Sequence, residues 1–77
     1  MPLSEEEWLE RYSAELGVSP PSPQEREALL AMAGIAAHAS VRTAAPISCW
    51  LAAQAGVSAE RAKEIAADLA RDSDGES

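Results

Sequence analysis

The sequence has no phenylalanine, one cysteine, and one tyrosine beside its two tryptophans. A lone cysteine excludes an internal disulfide, and a core with so few large aromatic residues needs backbones that approach closely. Alanine takes their place at seventeen of the 77 positions. Alanine has the highest helix propensity, whereas the β-branched and aromatic residues that favour strands are scarce. We therefore expect an all-α fold, a small four-helix bundle with short connections.

Positive charge is also scarce, because six bases oppose thirteen acids and the net charge is −7. Such a balance repels polyanions and gives nucleic acid or an anionic membrane no electrostatic attraction. We therefore expect neither as a partner. The first residues carry neither a basic stretch nor a long apolar run, so we expect a cytoplasmic location.

The charges lie at the two ends of the chain. Between residues 28 and 59 the only formally charged side chain is Arg42. Charged side chains normally cover a protein surface in contact with water. This uncharged segment is therefore either buried inside the bundle or faces something other than water.

Two capping boxes, in which a serine is followed three residues later by a glutamate, mark the first two helices. Ser4 predicts a helix that ends at about Leu16, and Ser22 predicts one that ends at about His38 or Ala39. The prolines between them predict a stiff connector.

The second half of the chain predicts two more helices. Because a residue before proline is pushed out of the α region, we expect the third helix to begin at Pro46, and Gly56 to end it. Ser58 then caps the fourth helix. We predict a single helical domain over residues 1–71 and a disordered acidic tail over 72–77.

Helical periodicity predicts which side chains face the core. These are Trp8, Leu9, Tyr12 and Leu16 in the first helix, Leu29, Met32, Ala33, Ala36 and Ala37 in the second, Ile47, Trp50, Leu51 and Ala55 in the third, and Ala62, Ile65, Ala66 and Leu69 in the fourth. Tryptophan is rarely buried completely, so Trp8 or Trp50 could instead anchor an interface with a second copy or a partner protein.

The segment A-A-H-A-S-V-R-T-A-A-P-I-S-C-W-L, with parts of the first helix, resembles a small bacterial domain family of unassigned function. The matching positions are Trp8, Leu16 to Val18, Ala37 and His38, Arg42, Ala44 to Pro46, and Trp50 with Leu51. The family usually has an acid where residues 30–33 have none, and a glycine where Ala52 and Ala53 stand. Its members are found fused to, or encoded beside, molybdenum cofactor guanylyltransferase-like proteins. The resemblance implies an accessory role beside such a protein.

His38, Arg42 and Pro46 fall within nine residues, with Trp50 one helical turn further on. A helix N-terminus beside an arginine favours a phosphate or carboxylate, so an anion or nucleotide is one candidate ligand and an acid of a protein partner is another. Alternatively, Arg42 bonds helix-end carbonyls or a glutamate of the first helix, and His38 caps the second helix.

Two further patterns have plainer interpretations. Cys49 with His38 suggests a thiol nucleophile and its base, but no third group orients them and a cysteine in a helix is usually a small buried hydrophobe. One histidine and one cysteine also cannot complete a zinc site without carboxylates. Residues 51–69 suggest a helix-turn-helix, yet the acids of the last helix cancel its bases.

We therefore expect an accessory protein-binding domain, not an enzyme, with His38, Arg42, Pro46 and Trp50 as its candidate binding residues. We expect no catalytic residue, metal or cofactor. The partner implied by the resemblance is a nucleotidyltransferase-like protein, and a homodimer is a further possibility. The alternative is a small anion- or nucleotide-binding protein, followed by a helix-turn-helix DNA-binding protein.

Overall fold

Four helices make up the chain in a computed structural model that describes residues 2–75, with side chains from 2 to 72. Helix α1 spans Glu5–Leu16, α2 spans Pro23–Ala39, α3 spans Ala44–Ala55 and α4 spans Ala59–Gly75. Within the described residues there is no strand. The predicted all-α class with four helices and short connections is confirmed.

Local capping explains most of the helix ends. The Ser4 Oγ accepts a hydrogen bond from the Glu7 N–H at 3.1 Å, and the Ser22 Oγ accepts one from the Glu25 N–H, also at 3.1 Å. In both boxes the glutamate carboxylate accepts from the serine N–H in return. Gly17 ends α1 in the left-handed conformation, with φ 77°, which glycine adopts without steric cost. The predicted starts of the first two helices are confirmed.

Two boundaries differ from those predicted. Helix α3 begins at Ala44, not at Pro46, because a proline within the first helical turn has no helical carbonyl four residues before it to clash with. Ala45 therefore takes the helical conformation although it precedes a proline. Helix α4 continues through residues 72–75, where we predicted the acidic tail, and residues 76 and 77 lie outside the described part of the chain.

Helix α2 is the centre of the fold, since α3 and α4 both pack against it. The side chains buried most completely are Ala28 and Met32 of α2 and Ala62 of α4, and Met32 is only 2% exposed. Leu29, Ala33, Ala36 and Ala37 are half-buried, as the periodicity of α2 predicts. The small side chains at these contacts allow neighbouring helix axes to approach closely.

Helix α3 turns its small side chains towards the rest of the fold and its large ones towards solvent. Ala44, Ala45, Ser48, Cys49 and Ala52 are half-buried. Ile47, Trp50 and Leu51, which lie at helical spacing on the other side, are more than half exposed, with Trp50 at 62%. The prediction that these three residues and Ala55 face inward is wrong. Close approach of α3 to α2 requires small residues at the contact, so the large residues are left outside.

Helix α1 shows the same reversal. It lies against the connector, where Glu6, Leu9 and Glu10 line a depression with Pro20, Pro21, Pro23 and Arg26. Glu5 forms an ion pair with Arg26 of α2, and Ser13 is buried. Trp8, Tyr12 and Leu16 are each more than half exposed, so the prediction that they pack in the core is wrong.

On α4, Ala62 is buried as predicted, whereas Ile65 and Leu69 are exposed.

The fold is open for its size. Its radius of gyration is 13.9 Å, against about 11.5 Å for a compact domain of this length. The chain exposes 6106 Å², whereas a compact monomer of this mass exposes about 4,500 Å². The large apolar side chains on α1 and α3 are part of that additional surface.

Replacing Met32 with alanine should lower the free energy of unfolding by about 2–4 kcal/mol, because the thioether side chain is the most completely buried one. The matched control is Leu30→Ala on the same helix, since Leu30 is exposed and its loss should change stability by less than about 0.5 kcal/mol. Urea denaturation followed by circular dichroism measures both. Equal effects of the two substitutions would contradict this assignment of the core.

Amide hydrogen exchange should be slowest in α2 and markedly faster in α1, because among the described residues α1 is held mainly by contacts around the connector and by the ion pair of Glu5 with Arg26. Arg26→Ala should speed exchange in α1 by up to roughly 5-fold, the effect of losing a surface ion pair, and leave α2 unchanged. Mass spectrometry of peptic fragments resolves the two helices. Equal protection of α1 and α2 would show that α1 is held more firmly than this packing implies.

Candidate functional site

Three large apolar side chains of α3 form one surface, the α3 outer face, which consists of Ile47, Trp50 and Leu51. All three are more than half exposed. No charged residue stands anywhere in α3, so no ionic group on this helix solvates the face. The uncharged segment is therefore divided: its α2 part places Ala28 and Met32 in the core, whereas its α3 part exposes this face.

The N-terminus of α3 does not offer the free amides that an anion needs. The Ala44 N–H donates to the Val41 carbonyl at 2.9 Å, and the Ala45 N–H donates to the Arg42 carbonyl at 3.2 Å. The third residue, Pro46, has no N–H. Thr43, the residue before the helix, has helical backbone angles and its side chain makes no capping bond. The first turn is therefore closed by its own backbone.

The four predicted binding residues are all exposed: His38, Arg42, Pro46 and Trp50. His38 lies in the last turn of α2, Arg42 in the turn before α3, and Pro46 and Trp50 on α3. Among residues 2–72 the side chains of His38 and Arg42 form no hydrogen bond or ion pair with protein groups. The alternative that Arg42 bonds a helix end or a glutamate, with His38 as a cap, is therefore not found. Both groups remain available to a partner.

A cavity of about 290 Å³ lies beside this turn, between α2, α3 and α4. Its walls are apolar apart from two serines and consist of Met32, Ile35, Ala36, Ala39, Ser40, Ala44, Ser48, Ala66, Leu69 and Ala70. Neither His38 nor Arg42 is among these residues. The structure thus places the imidazole and the guanidinium on the outer surface near the cavity and not in its wall.

A larger concavity, the linker groove, has a volume of about 590 Å³. It lies between the connector that joins α1 to α2 and the helices α2, α3 and α4. The connector contributes residues 18–21, and Cys49 of α3 lines the groove as a half-buried, unoxidised thiol. His38 is not part of the groove. The proposed thiol and base are thus placed on different surfaces, and the small-hydrophobe interpretation of Cys49 fits its position.

The bases of α4 stand beside acids of the same helix. Arg61 pairs with Glu64 at 3.2 Å, and Arg71 pairs with Asp68. Lys63 lies in a depression with Glu27, Glu60 and Glu64. Such neighbours cancel the attraction that a recognition helix needs for phosphates, which adds a structural argument against DNA binding.

The described part of the chain contains neither a metal-binding cluster nor a membrane-spanning helix. No group of three or more His, Cys, Asp or Glu residues is placed to hold a metal ion. None of the helices combines the length and the apolar character that crossing a membrane requires.

These features define a small, open, all-helical domain with exposed apolar faces. The chain belongs to the family described as Domain of unknown function (DUF6457), whose model matches residues 3–76. That match confirms the coarser part of the expected resemblance, a small domain family of unassigned function. No curated protein and no solved structure matches the chain.

Sequence reasoning missed several residues of the exposed surfaces. Ile47 and Leu51 were predicted to face the core, and Tyr12 was predicted to do so on α1. The sequence signal that could have identified this surface is the absence of charge from α3. A helix with one face in water normally carries charged residues on that face. Periodicity alone identified the residues that share a face but not the direction in which the face points.

Millimolar inorganic phosphate should leave the amide resonances of Ala44, Ala45 and Ile47 unchanged, because the first two amides already donate to backbone carbonyls. The side-chain resonance of Arg42 should shift only weakly and should lose that shift as salt screens the charge. Proton–nitrogen correlation spectra measure both effects. A saturable shift of the amides at low phosphate concentration would instead support the anion-binding alternative.

Proposed function

We propose that this chain is an accessory protein-binding domain whose α3 outer face docks onto a partner. The observation that supports it is the combination of large apolar side chains and missing charge on an exposed helix. Protein interfaces have cores from which charged residues are depleted and in which tryptophan and arginine are enriched. Trp50 supplies the aromatic anchor, and Arg42 in the preceding turn supplies a cation at the rim.

Exposed apolar surface on this scale favours binding over catalysis. Monomeric proteins scatter single apolar residues over their surface, but Ile47, Trp50 and Leu51 are successive members of one helical stripe. Covering that stripe with a partner would remove from water side chains that each contribute about 1.5–3 kcal/mol on full burial. The exposed Arg42, in the turn that precedes α3, would then favour a partner surface that carries acids or carbonyl groups.

The partner class comes from the resemblance to the family found with molybdenum cofactor guanylyltransferase-like proteins. A nucleotidyltransferase-like protein of this kind is the partner that we propose. The chain itself supplies no cofactor-binding or catalytic group in this proposal. Its role is to bind that protein and so to act beside its nucleotide chemistry.

Trp50→Ala should weaken binding to a purified guanylyltransferase-like protein by roughly 30-fold or more, the effect of removing an interface hot spot. Leu30→Ala is the matched control, because Leu30 is a similarly exposed apolar residue on α2 outside the α3 outer face. Its affinity should stay within about 2-fold of wild type. Isothermal titration calorimetry gives the three dissociation constants.

The result separates the surface from the partner class. If Trp50→Ala and Leu30→Ala bind as wild type does, the α3 outer face is not the binding surface. If the wild-type chain does not bind the guanylyltransferase-like protein at all, the partner class is wrong. Arg42→Ala, which removes one rim charge, should have a smaller effect that fades at high salt.

A further inference from the structure

One chain carries both an exposed apolar ridge and an apolar groove, and the side chains described by the structure, residues 2–72, leave both open. The α1 ridge consists of Trp8, Tyr12 and Leu16, and the linker groove lies at the end of the molecule to which α1 is connected. We propose that two copies of the chain associate by seating the α1 ridge of each in the linker groove of the other.

The ridge is preformed. The rings of Trp8 and Tyr12 stack with their centroids 5.5 Å apart and their planes 12° from parallel. Both side chains are nevertheless more than half exposed, at 53% and 51%. Side chains that are already ordered lose little conformational entropy on binding, so their apolar surface contributes more fully to affinity.

The groove offers complementary chemistry. Its walls are Val18, Ser19, Pro20, Pro21, Glu25, Leu29, Cys49, Ala52, Ala53, Val57, Ala59 and Ala62. Glu25 is the only charged residue in this set, and its carboxylate already accepts the Ser22 N–H at 2.8 Å. Apart from Ser19 and Cys49, the other lining side chains are apolar, and the small ones among them leave room for large side chains from outside.

The ridge of a chain does not reach its own groove. Leu9, which follows Trp8 on α1, rests on the connector, and the pairing of Glu5 with Arg26 holds the helix there. Pro20 and Pro21 stiffen the connector and so oppose reorientation of α1. Because residues 18–21 both follow α1 and line the groove, a two-fold axis at this end of the molecule brings each ridge to the partner's groove. The same ridge-to-groove contact then forms twice, and the assembly stops at a dimer.

The exposed area supports a second copy as the occupant. The chain exposes 6106 Å², roughly 1,600 Å² more than a compact monomer of 8.1 kDa. Burying only half of that excess on each of two chains removes about 1,600 Å² in total, the size of a standard stable interface. The other half of the excess area includes the α3 outer face, which stays free to bind a different protein.

The charge of the chain gives the association a signature. Two chains of net charge −7 repel each other, so added salt should strengthen the dimer by screening the repulsion. An apolar contact with a basic partner would instead weaken as salt is added.

A charge-complementation experiment tests the contact. Tyr12→Glu places an acid on the ridge, and Ala53→Lys places a base in the groove; both positions are exposed, so neither substitution disturbs the core. Wild type should have twice the chain mass of 8.1 kDa in sedimentation equilibrium. Each variant alone should dimerise at least roughly 30-fold more weakly. An equimolar mixture should recover the dimer, because one contact then pairs Glu with Lys and the other is wild type.

Several outcomes would overturn the proposal. A wild-type chain that stays monomeric at millimolar concentration excludes the dimer, whether the ridge turns out to serve another protein or its own groove. A dimer that survives both single substitutions uses a different surface. Variants that are monomeric alone and also in the mixture show that ridge and groove do not meet. Far-UV circular dichroism checks folding, and Leu16→Glu replaces Tyr12→Glu if that variant does not fold.

This inference concerns a surface separate from the α3 outer face, so the two proposals can fail independently. Trp50→Ala should leave the sedimentation mass unchanged while it reduces binding to the guanylyltransferase-like protein. Tyr12→Glu should do the reverse. A loss of dimer in Trp50→Ala would place the self-association on α3 and contradict the arrangement proposed here.

Discussion

The contact of α2 with α3 and α4 through small side chains is the constraint on which the rest of the structure depends. The buried apolar residues are Ala28, Met32 and Ala62, of which only Met32 has a large side chain, and the half-buried side chains of α3 are short. Helices that approach this closely cannot also place indole or isoleucine side chains between them. The large apolar groups of α1 and α3 are therefore pushed to the outside, and the surfaces available for binding follow from the way the core is packed.

A core of this kind contributes limited stability, because the hydrophobic stabilisation scales with the apolar area removed from water. Local interactions therefore carry much of the structure: two complete capping boxes, the Ser58 cap of α4 and ion pairs along that helix. Each is worth about 1 kcal/mol or less. Burial of the outward faces by other chains would add the stabilisation that the interior does not supply, which links the binding function to the folding thermodynamics of the domain.

The sequence was most informative where the physics is local. Ser4 with Glu7, and Ser22 with Glu25, located two helix starts because the hydrogen bonds of a capping box involve only neighbouring residues. The predicted start of α3 was wrong. The bias of a residue before proline against the α-helical conformation is weaker than the helix propensity of the alanines in this segment. The direction of the faces could not be deduced, since both sides of α3 are uncharged and the choice between them depends on how closely α2 approaches. His38 and Arg42 stand out in the sequence of this segment, but only the structure shows that they do not line the neighbouring cavity.

The separation of charge from apolar surface also bears on how the chain behaves without its partners. All of its acids lie in residues 1–27 and 60–77, while the uncharged middle exposes Ile47, Trp50 and Leu51. Mutual repulsion between the acidic ends is thus what keeps these faces from meeting at random in concentrated solution. As the pH falls towards the isoelectric point of about 4.4, that repulsion disappears and colloidal stability is lost.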